Sequence, residues 1–438
     1  MKLAVVLVPA LLGGLSISAR ADDGAAAPVA ALLANPVQLA AWLSDRDPMI
    51  ESSRARVDAA HEVTEQARVL PNPQLTFTAG GFVVGQTNPM PLSLGQTTNY
   101  ELGLGELIEL GKRGPREDAA DTRAREAGMT AIGALGDRLG DATAALGKLT
   151  YATAKRDVAA ANLEAAKKLR DNEKVRLDNK DLSPLEYGRI ELDTEELELQ
   201  LGRAEAELAS SIATCGAVLY ASCAVPGLDS AALDAGAPLP ANLPSPDAAI
   251  EQRPKLVAQK LEVQALGYDA SLANARKIPD PTIGIGYTLD NLTIAGNQHQ
   301  SLLFSIGIPL PFFDRGDHDA AAARANARAL AAEDKAAVRE AHGVVEALVA
   351  QHETLVTTLQ RLESDSVPKS TLIIVQTQKA FDLGQARLAD LLLVERAHRD
   401  LLLEVLDTRF DLFTVRAQLR QALGLDDEVA RNATGRHS

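Results

Sequence analysis

Aromatic residues are scarce, at 3% of 438, with a single tryptophan. Large buried cores draw much of their area from aromatic side chains. Their scarcity in an Ala-rich chain points away from a compact globular enzyme and toward long helices whose small side chains let backbones approach. Beyond residue 17, no stretch approaches the roughly 20 apolar residues that a membrane-spanning helix needs. Positive charge is also short: 44 Lys and Arg against 59 Asp and Glu leave a net charge of −15. That balance argues against nucleic acid, which needs a basic face. It favours cations in any cavity the chain lines, and it equally serves solubility. Seven histidines, at 61, 299, 318, 342, 352, 398 and 437, are scattered, and His342 and His352 are out of phase with metal-pair spacing. No HExxH, nucleophile elbow, P-loop or zinc-knuckle pattern is present. The chain is therefore read as a non-enzyme, with no catalytic residue, cofactor or metal ligand assigned.

What is present begins with an export signal. Lys2, the apolar stretch Leu3–Ile17 and Ala19-Arg20-Ala21 fit a signal peptide over residues 1–21. An exported chain without an apolar helix can span a membrane only with strands. The two cysteines, Cys215 and Cys223, flank an expected helix end. An oxidising compartment permits a bridge between them, and a structural disulfide is preferred over two free buried thiols.

The organising stretch is Ser301–Gly316, SLLFSIGIPLPFFDRG. Leu302, Phe304, Ile306 and Ile308 fall on one face of a strand, and Ser301, Leu303, Ser305 and Gly307 on the other. Pro309 and Pro311 remove two donors and stop the ladder. Asn99–Gly114 repeats the design, with Tyr100, Leu102 and Leu104 opposite Gly103 and Gly105. Pro71-Asn72-Pro73 matches Pro279-Asp280-Pro281, Asp47-Pro48 matches Arg253-Pro254, and Asn179–Glu186 matches Gly384–Leu391, all at an offset near 205 residues. The chain thus reads as two copies of one unit, residues 22–225 and 247–425, joined by a Pro-rich linker at 226–246 and followed by a tail at 426–438. Residues 22–35 and the tail are expected to be loose.

Each copy reads helix, strand, loop, strand, long helix, tight turn, long helix. The fold class is mainly α with a small β part: tandem-duplicated long helical hairpins plus four strands. Leu197, Leu201, Ala204, Leu208 and Ser211 mark a coiled-coil seam in the first hairpin, and Ala341 to Leu362 mark another in the second. Pro368 is expected to kink or restart its helix. A helix of about 65 residues reaches roughly 95 Å, so such a hairpin protrudes as a rod or walls a tube. Four strands alone leave open edges, so in lipid several chains must close one barrel. The loops Phe82–Thr98 and Asp290–Gln300 then face outside.

Glu106–Gly114 (ELIELGKRG), Ile308–Gly316 (IPLPFFDRG), Pro71–Pro73 and Lys180–Glu186 (KDLSPLE) resemble the TolC-like family of outer-membrane efflux channels, in particular its cobalt–zinc–cadmium (CzcC-like) branch serving heavy-metal exporters. The resemblance implies a homotrimer in the outer membrane, with a twelve-strand barrel crossing the lipid and an α-barrel tunnel in the periplasm. It also implies two partners: a periplasmic adaptor and an inner-membrane pump of the resistance–nodulation–division (RND) class. Drug or small-molecule efflux is the alternative cargo, and a periplasmic adaptor or coiled-coil scaffold the alternative architecture. The resemblance further implies that the helix-turn tips meet the adaptor and form the closed entrance. Asn179, Lys180, Leu182, Ser183, Pro184, Gly384 and Leu388 are then the contact tips. Asn179 stands where the family has Gly and is expected to take the left-handed backbone. Asp178, Asp181, Glu186, Asp382 and Asp390 are gate candidates, because carboxylates repeated around a trimer axis attract cations and repel one another. Arg387 is expected to link to Asp390 across helices.

Overall fold

The computed structural model describes residues 27–85, 91–223, 228–292 and 298–435. The expected signal peptide, Pro226 at the head of the linker, and parts of both strand-connecting loops and of the tail lie outside the described residues. In chain order the elements are α1 (Val29–Ala34), α2 (Pro36–Arg46), α3 (Pro48–Arg68), β1 (Gln74–Gly80), α4 (Leu94–Thr97), β2 (Asn99–Leu107), α5 (Arg113–Asp178) and α6 (Pro184–Leu219). Then come α7 (Ala231–Ala235), α8 (Pro246–Glu251), α9 (Pro254–Ala275), β3 (Thr282–Asp290), β4 (Gln300–Gly307) and α10 (Asp317–Arg361). A π-helical turn, Leu362–Ser366, leads into α11 (Val367–Asp382), α12 (Leu388–Ala422) and α13 (Leu425–Thr434).

The duplication is visible in the element lengths. Helix α5 has 66 residues and α6 has 36. In the second half, α10, the π turn and α11 (45, 5 and 16 residues) run on as one rod, and α12 returns with 35. Proline punctuates the starts: α3, α6, α9 and α11 each carry it in the first turn, where its missing N–H leaves no intrahelical bond unmade. Asp47 caps α3 by accepting from Met49 N at 2.8 Å, and its second oxygen meets Arg138 Nε of α5 at 2.6 Å. This landmark therefore ties the first short helix bundle to the first rod.

The four strands form one antiparallel sheet in the order β1-β2-β3-β4. The central pair joins the two copies and sets Gly103 opposite Gly286 and Gly105 opposite Gly284. The register also aligns the apolar rows. Leu75 and Phe77 lie opposite Leu104 and Leu102, which lie opposite Ile285 and Tyr287, which lie opposite Phe304 and Leu302. All eight of these side chains are exposed in the single chain. The other face carries Thr76, Glu101, the four glycines, Thr288, Ser301, Ser305 and one large apolar side chain, Leu303.

Among the described residues, four buried clusters hold the helices together, the smallest being Leu163, Ala166 and Leu197 between α5 and α6. The largest lies where α1, α2, α5, α6, α7 and α12 meet, with Leu43, Leu139, Leu146, Leu219, Leu233 and Phe413 fully buried. A second joins α8, α9, α10 and α12 through Ile250, Leu256, Val345 and Leu419. The third is at the tips. A disulfide joins Cys215, inside the last turns of α6, to Cys223 beyond its end, next to a backbone bridge from Cys223 to Ala27.

Several expectations are corrected. The segment after residue 26 is not loose: α1 buries Val29, Leu32 and Leu33. The tail folds as α13, which buries Ala430 and docks through an Arg420–Asp426 ion pair of 2.8 Å. α1 has only six residues, too few to show a periodicity, whereas Leu425, Val429, Ala430 and Ala433 share one face of α13; long-range packing orders both. Pro368, by contrast, restarts its helix as expected: it stands in the first turn of α11, directly after the π turn. Val367 N bonds to Leu362 O, the five-residue spacing of a π turn, which absorbs the ring that an α-helix cannot accommodate.

Candidate functional site

Two regions carry the functional geometry: the sheet, and the paired tips at the far ends of the rods. The tips are the same turn built twice. In the first, Asp181 N bonds to Arg176 O at 2.8 Å, and in the second, Gln385 N bonds to Ala380 O at 2.8 Å. Each is the six-to-one closure that ends a helix through one left-handed residue. In the second tip that residue is Gly384, at φ 70°. In the first it is Lys180, at φ 61°, whereas Asn179 stays right-handed at φ −80°. The expectation for Asn179 is therefore wrong by one position: the true equivalence runs Lys180 to Gly384.

Leu182 and Leu388, each just past its turn, are buried together with Ile190, Phe381 and Leu391. This apolar knot clamps the two tips to one another. Arg176 lies 5.0 Å from the Phe381 ring centre and 3.0 Å from Glu173, a carboxylate that is itself buried. Burial pushes the Glu173 carboxyl above its ordinary range, and Arg176 opposes the shift. Helix α6 starts with a capping box. Ser183 Oγ accepts from Glu186 N at 3.2 Å and donates to Glu186 Oε2 at 2.8 Å. The Ser183 hydroxyl, then its backbone amide, hold the Glu186 carboxyl below its ordinary range. Glu186 is thus committed to its own helix start.

Asp178, Asp181, Asp382 and Asp390 are exposed on the single chain. Arg387 does not link across helices. It is the residue before α12, and its backbone N donates to Asp390 Oδ2 at 3.2 Å, as an ordinary cap. The inter-helix ion pairs lie farther up the rods. Arg399 of α12 meets Asp193 of α6 at 2.9 Å, and Arg396 meets Glu196 at 3.1 Å. Glu395 packs beside Arg399, and burial raises its carboxyl. Asp193 and Glu196 lie in the acidic run Glu191–Glu198, whose charges alone suggest a solvated helix face. The available signal was the repeat itself, since Arg399 lies 206 residues after Asp193, close to the repeat offset. Among the described residues, no group of three or more His, Cys, Asp or Glu is placed to hold a metal ion, and no helix is long and apolar enough to cross a membrane.

Residues 245–425 match the family model described as Outer membrane efflux protein. No curated protein sequence matches the chain. Among solved structures, CusC, described for its folding and transmembrane channel formation, is similar with a TM-score of 0.75 at 15% identity, covering 89% of this chain and 91% of that one. The outer membrane protein VceC of Vibrio cholerae gives 0.71 at 16% identity, covering 89% and 96%. The CmeC outer membrane channel of Campylobacter jejuni gives 0.70 at 14% identity, covering 97% and 93%. Identities this low speak for the fold alone. By sequence, then, residues 245–425 match the outer membrane efflux proteins, and the chain as a whole has the mainly helical, four-stranded fold of the outer-membrane channels.

Proposed function

We propose that this protein is the outer-membrane exit duct of a tripartite efflux system, working as a homotrimer without chemistry of its own. The observation that carries this reading is the two-sided sheet. Its apolar face is exposed, its other face is small and polar apart from Leu303, and β1 and β4 both leave an open edge within the chain. In lipid an open edge leaves unpaired peptide groups, so β4 of one copy pairs with β1 of the next until the barrel closes. The apolar rows then face lipid, and the glycine and serine face lines the lumen. The rods continue as a periplasmic tunnel, and their tips face a periplasmic adaptor and, through it, an inner-membrane RND pump. Exposed Asp178, Asp181, Asp382 and Asp390 repeat around the trimer axis at the narrow end, where they attract cations and contribute to gating. Glu186 and Arg387 cap their helices at the same tips, and Asn179, Lys180, Ser183, Pro184 and Gly384 present the adaptor surface.

Divalent heavy-metal cations are the cargo this reading favours. The net charge of −15 and the CzcC-like stretches support it. Growth of a deletion strain on zinc, cadmium, cobalt, nickel, copper and silver salts, and on hydrophobic drugs, with plasmid complementation, tests the cargo. Selective, complemented metal sensitivity is expected. Drug sensitivity with normal metal tolerance would remove the metal assignment and keep the duct. Recovery of the protein wholly in the soluble periplasmic fraction, with no heat-sensitive trimer band in the outer membrane, would sink the duct itself.

A further inference from the structure

The two strand hairpins match one another residue by residue. In the first, Gln74 lies opposite Gly105, and in the second, Thr282 lies opposite Gly307. Thr282 follows Gln74 by 208 residues, and Gly307 follows Gly105 by 202. The same two offsets relate the flanking landmarks. Pro71-Asn72-Pro73 and Pro279-Asp280-Pro281 are 208 residues apart, and Arg113-Gly114 and Arg315-Gly316 are 202 apart. Sequence punctuation and strand register therefore give one equivalence, in which β1 maps onto β3 and β2 onto β4.

That equivalence reaches a seam that the single chain leaves open. Within the chain, β2 meets β3 with Leu104 opposite Ile285, Gly103 opposite Gly286, Leu102 opposite Tyr287 and Glu101 opposite Thr288. In the proposed barrel, β4 meets β1 of the next copy, and these strands are the mapped counterparts of β2 and β3. Carried across by the two offsets, the β2–β3 register sets Ile306 opposite Phe77, Ser305 opposite Thr78, Phe304 opposite Ala79 and Leu303 opposite Gly80.

Side-chain fit and barrel geometry select the same register. A slip of one residue turns the apolar row of β1 to the wet face, so only slips of two compete. In the mapped register Phe304 stands beside Ala79. Leu303, the large side chain on an otherwise small and polar face, stands beside Gly80, the one glycine of β1. Thr76 is paired in turn with Gly103, Gly286 and Leu303, and Leu303 then with the next copy's Gly80, so each copy advances the register by four residues. Over three copies and twelve strands, with about 3.3 Å per residue and about 4.8 Å between strands, that advance tilts the strands by about 35°, as barrels require. The slip that sets Leu303 opposite Thr78 halves the advance and leaves a tilt of only about 19°. The opposite slip keeps only Ser305–Gly307 of β4 against β1 and extends the ladder into Pro309 and Pro311, which have no N–H to donate.

We propose that the seam between copies repeats the register of the β2–β3 seam, with Ser305 of one copy opposite Thr78 of the next, Phe304 beside Ala79 and Leu303 seated on Gly80. This rests on the barrel reading above, and the test separates the two. Thr78→Cys is combined in turn with Leu303→Cys, Ser305→Cys and Gly307→Cys in the full-length protein. Each pair is oxidised with copper phenanthroline in outer membranes and run on non-reducing gels. All four positions lie on the wet face and are exposed in the single chain. Within one chain, Thr78 and Ser305 lie on the two edge strands of the sheet, roughly 14 Å or more apart and beyond the reach of a disulfide. A band at dimer or trimer mass therefore reports a bond between copies. The native Cys215 and Cys223 are already bonded to one another. The Thr78→Cys/Ser305→Cys pair is expected to cross-link several-fold more than either of the others. Preferred cross-linking through Leu303→Cys or through Gly307→Cys overturns the register by two residues in a known direction, while the barrel stands. Equal cross-linking of all three pairs overturns a fixed register and likewise leaves the barrel. If no pair cross-links while all the thiols react with a maleimide, β4 does not meet β1 of another copy, and the closed barrel falls together with the register.

Discussion

At the scale of single residues, the first tip is held in a conformation its sequence does not favour. Lys180 occupies a left-handed position whose counterpart in the other tip is Gly384. A side chain there costs about 1 kcal/mol or more, which glycine avoids. Lys180→Gly is therefore expected to stabilise the folded protein by about 1 kcal/mol, read as a higher midpoint in thermal or denaturant unfolding. The same change at Asn179, which is right-handed, should instead destabilise. Asp427 makes a second test. Burial pushes its carboxyl up to about 6, with Arg253 opposing and Asp137 and Asp426 adding to the shift. The folded chain then binds this proton more tightly than the unfolded chain. Stability from this group is present below the ordinary carboxylate value and is lost as pH rises through about 6. Asp427→Asn should stabilise the docked α13 at pH 7 by about 2 kcal/mol. It should also flatten the melting temperature between pH 5 and 7 relative to the native chain, as paired melts across that range would show.

At the scale of elements, the long helices are joined by two different means. The tips share an apolar knot, whereas α6 and α12 are bridged above it by Arg399–Asp193 and Arg396–Glu196. The first pair is mostly shielded from solvent and the second is open to it. Removing one partner of a shielded pair strands the other charge. Arg399→Ala also leaves Asp193 beside Glu395, whose carboxyl burial already raises. A double-mutant cycle of Arg399→Ala with Asp193→Ala is expected to give a coupling of about 1–2 kcal/mol, against less than about 0.5 kcal/mol for Arg396 with Glu196. Equal couplings would contradict this view of the rods. The π turn before Pro368 is an element-scale feature of another kind. It lets the second rod carry a proline in its middle and still deliver Phe381 to the tip in register with Leu182.

At the scale of the whole molecule, the proposed duct depends on the two faces of the sheet. Phe304 and Ser305 are adjacent in sequence and point to opposite faces. Phe304→Arg places a charge on the apolar face, which in a lipid-embedded barrel costs about 2–4 kcal/mol near the midplane. It is expected to lower the yield of trimer in the outer-membrane fraction several-fold. Ser305→Arg, on the small polar face, should leave trimer yield near the native level while changing single-channel conductance in planar bilayers. If both substitutions abolish membrane recovery equally, the two-sided barrel is wrong.

The sequence by itself determined the duplication, the element order and the two faces of the strands. These follow from local rules: proline and glycine punctuation, a period of two in strands, and seams of three and four in helices. It also placed both tips to within a residue, because each turn closes over a few neighbouring peptide groups. Tertiary structure alone decided the rest. Val29 to Ala34 and Leu425 to Thr434 are ordered because distant helices offer them buried surface. Lys180 rather than Asn179 takes the strained position, because closure of the turn and burial of Leu182 outweigh local preference. The Arg399–Asp193 pair, 206 residues apart, exists only once the two copies lie side by side. Local patterns are written within a few residues of one another; contacts across the repeat are set by packing, which no short stretch encodes.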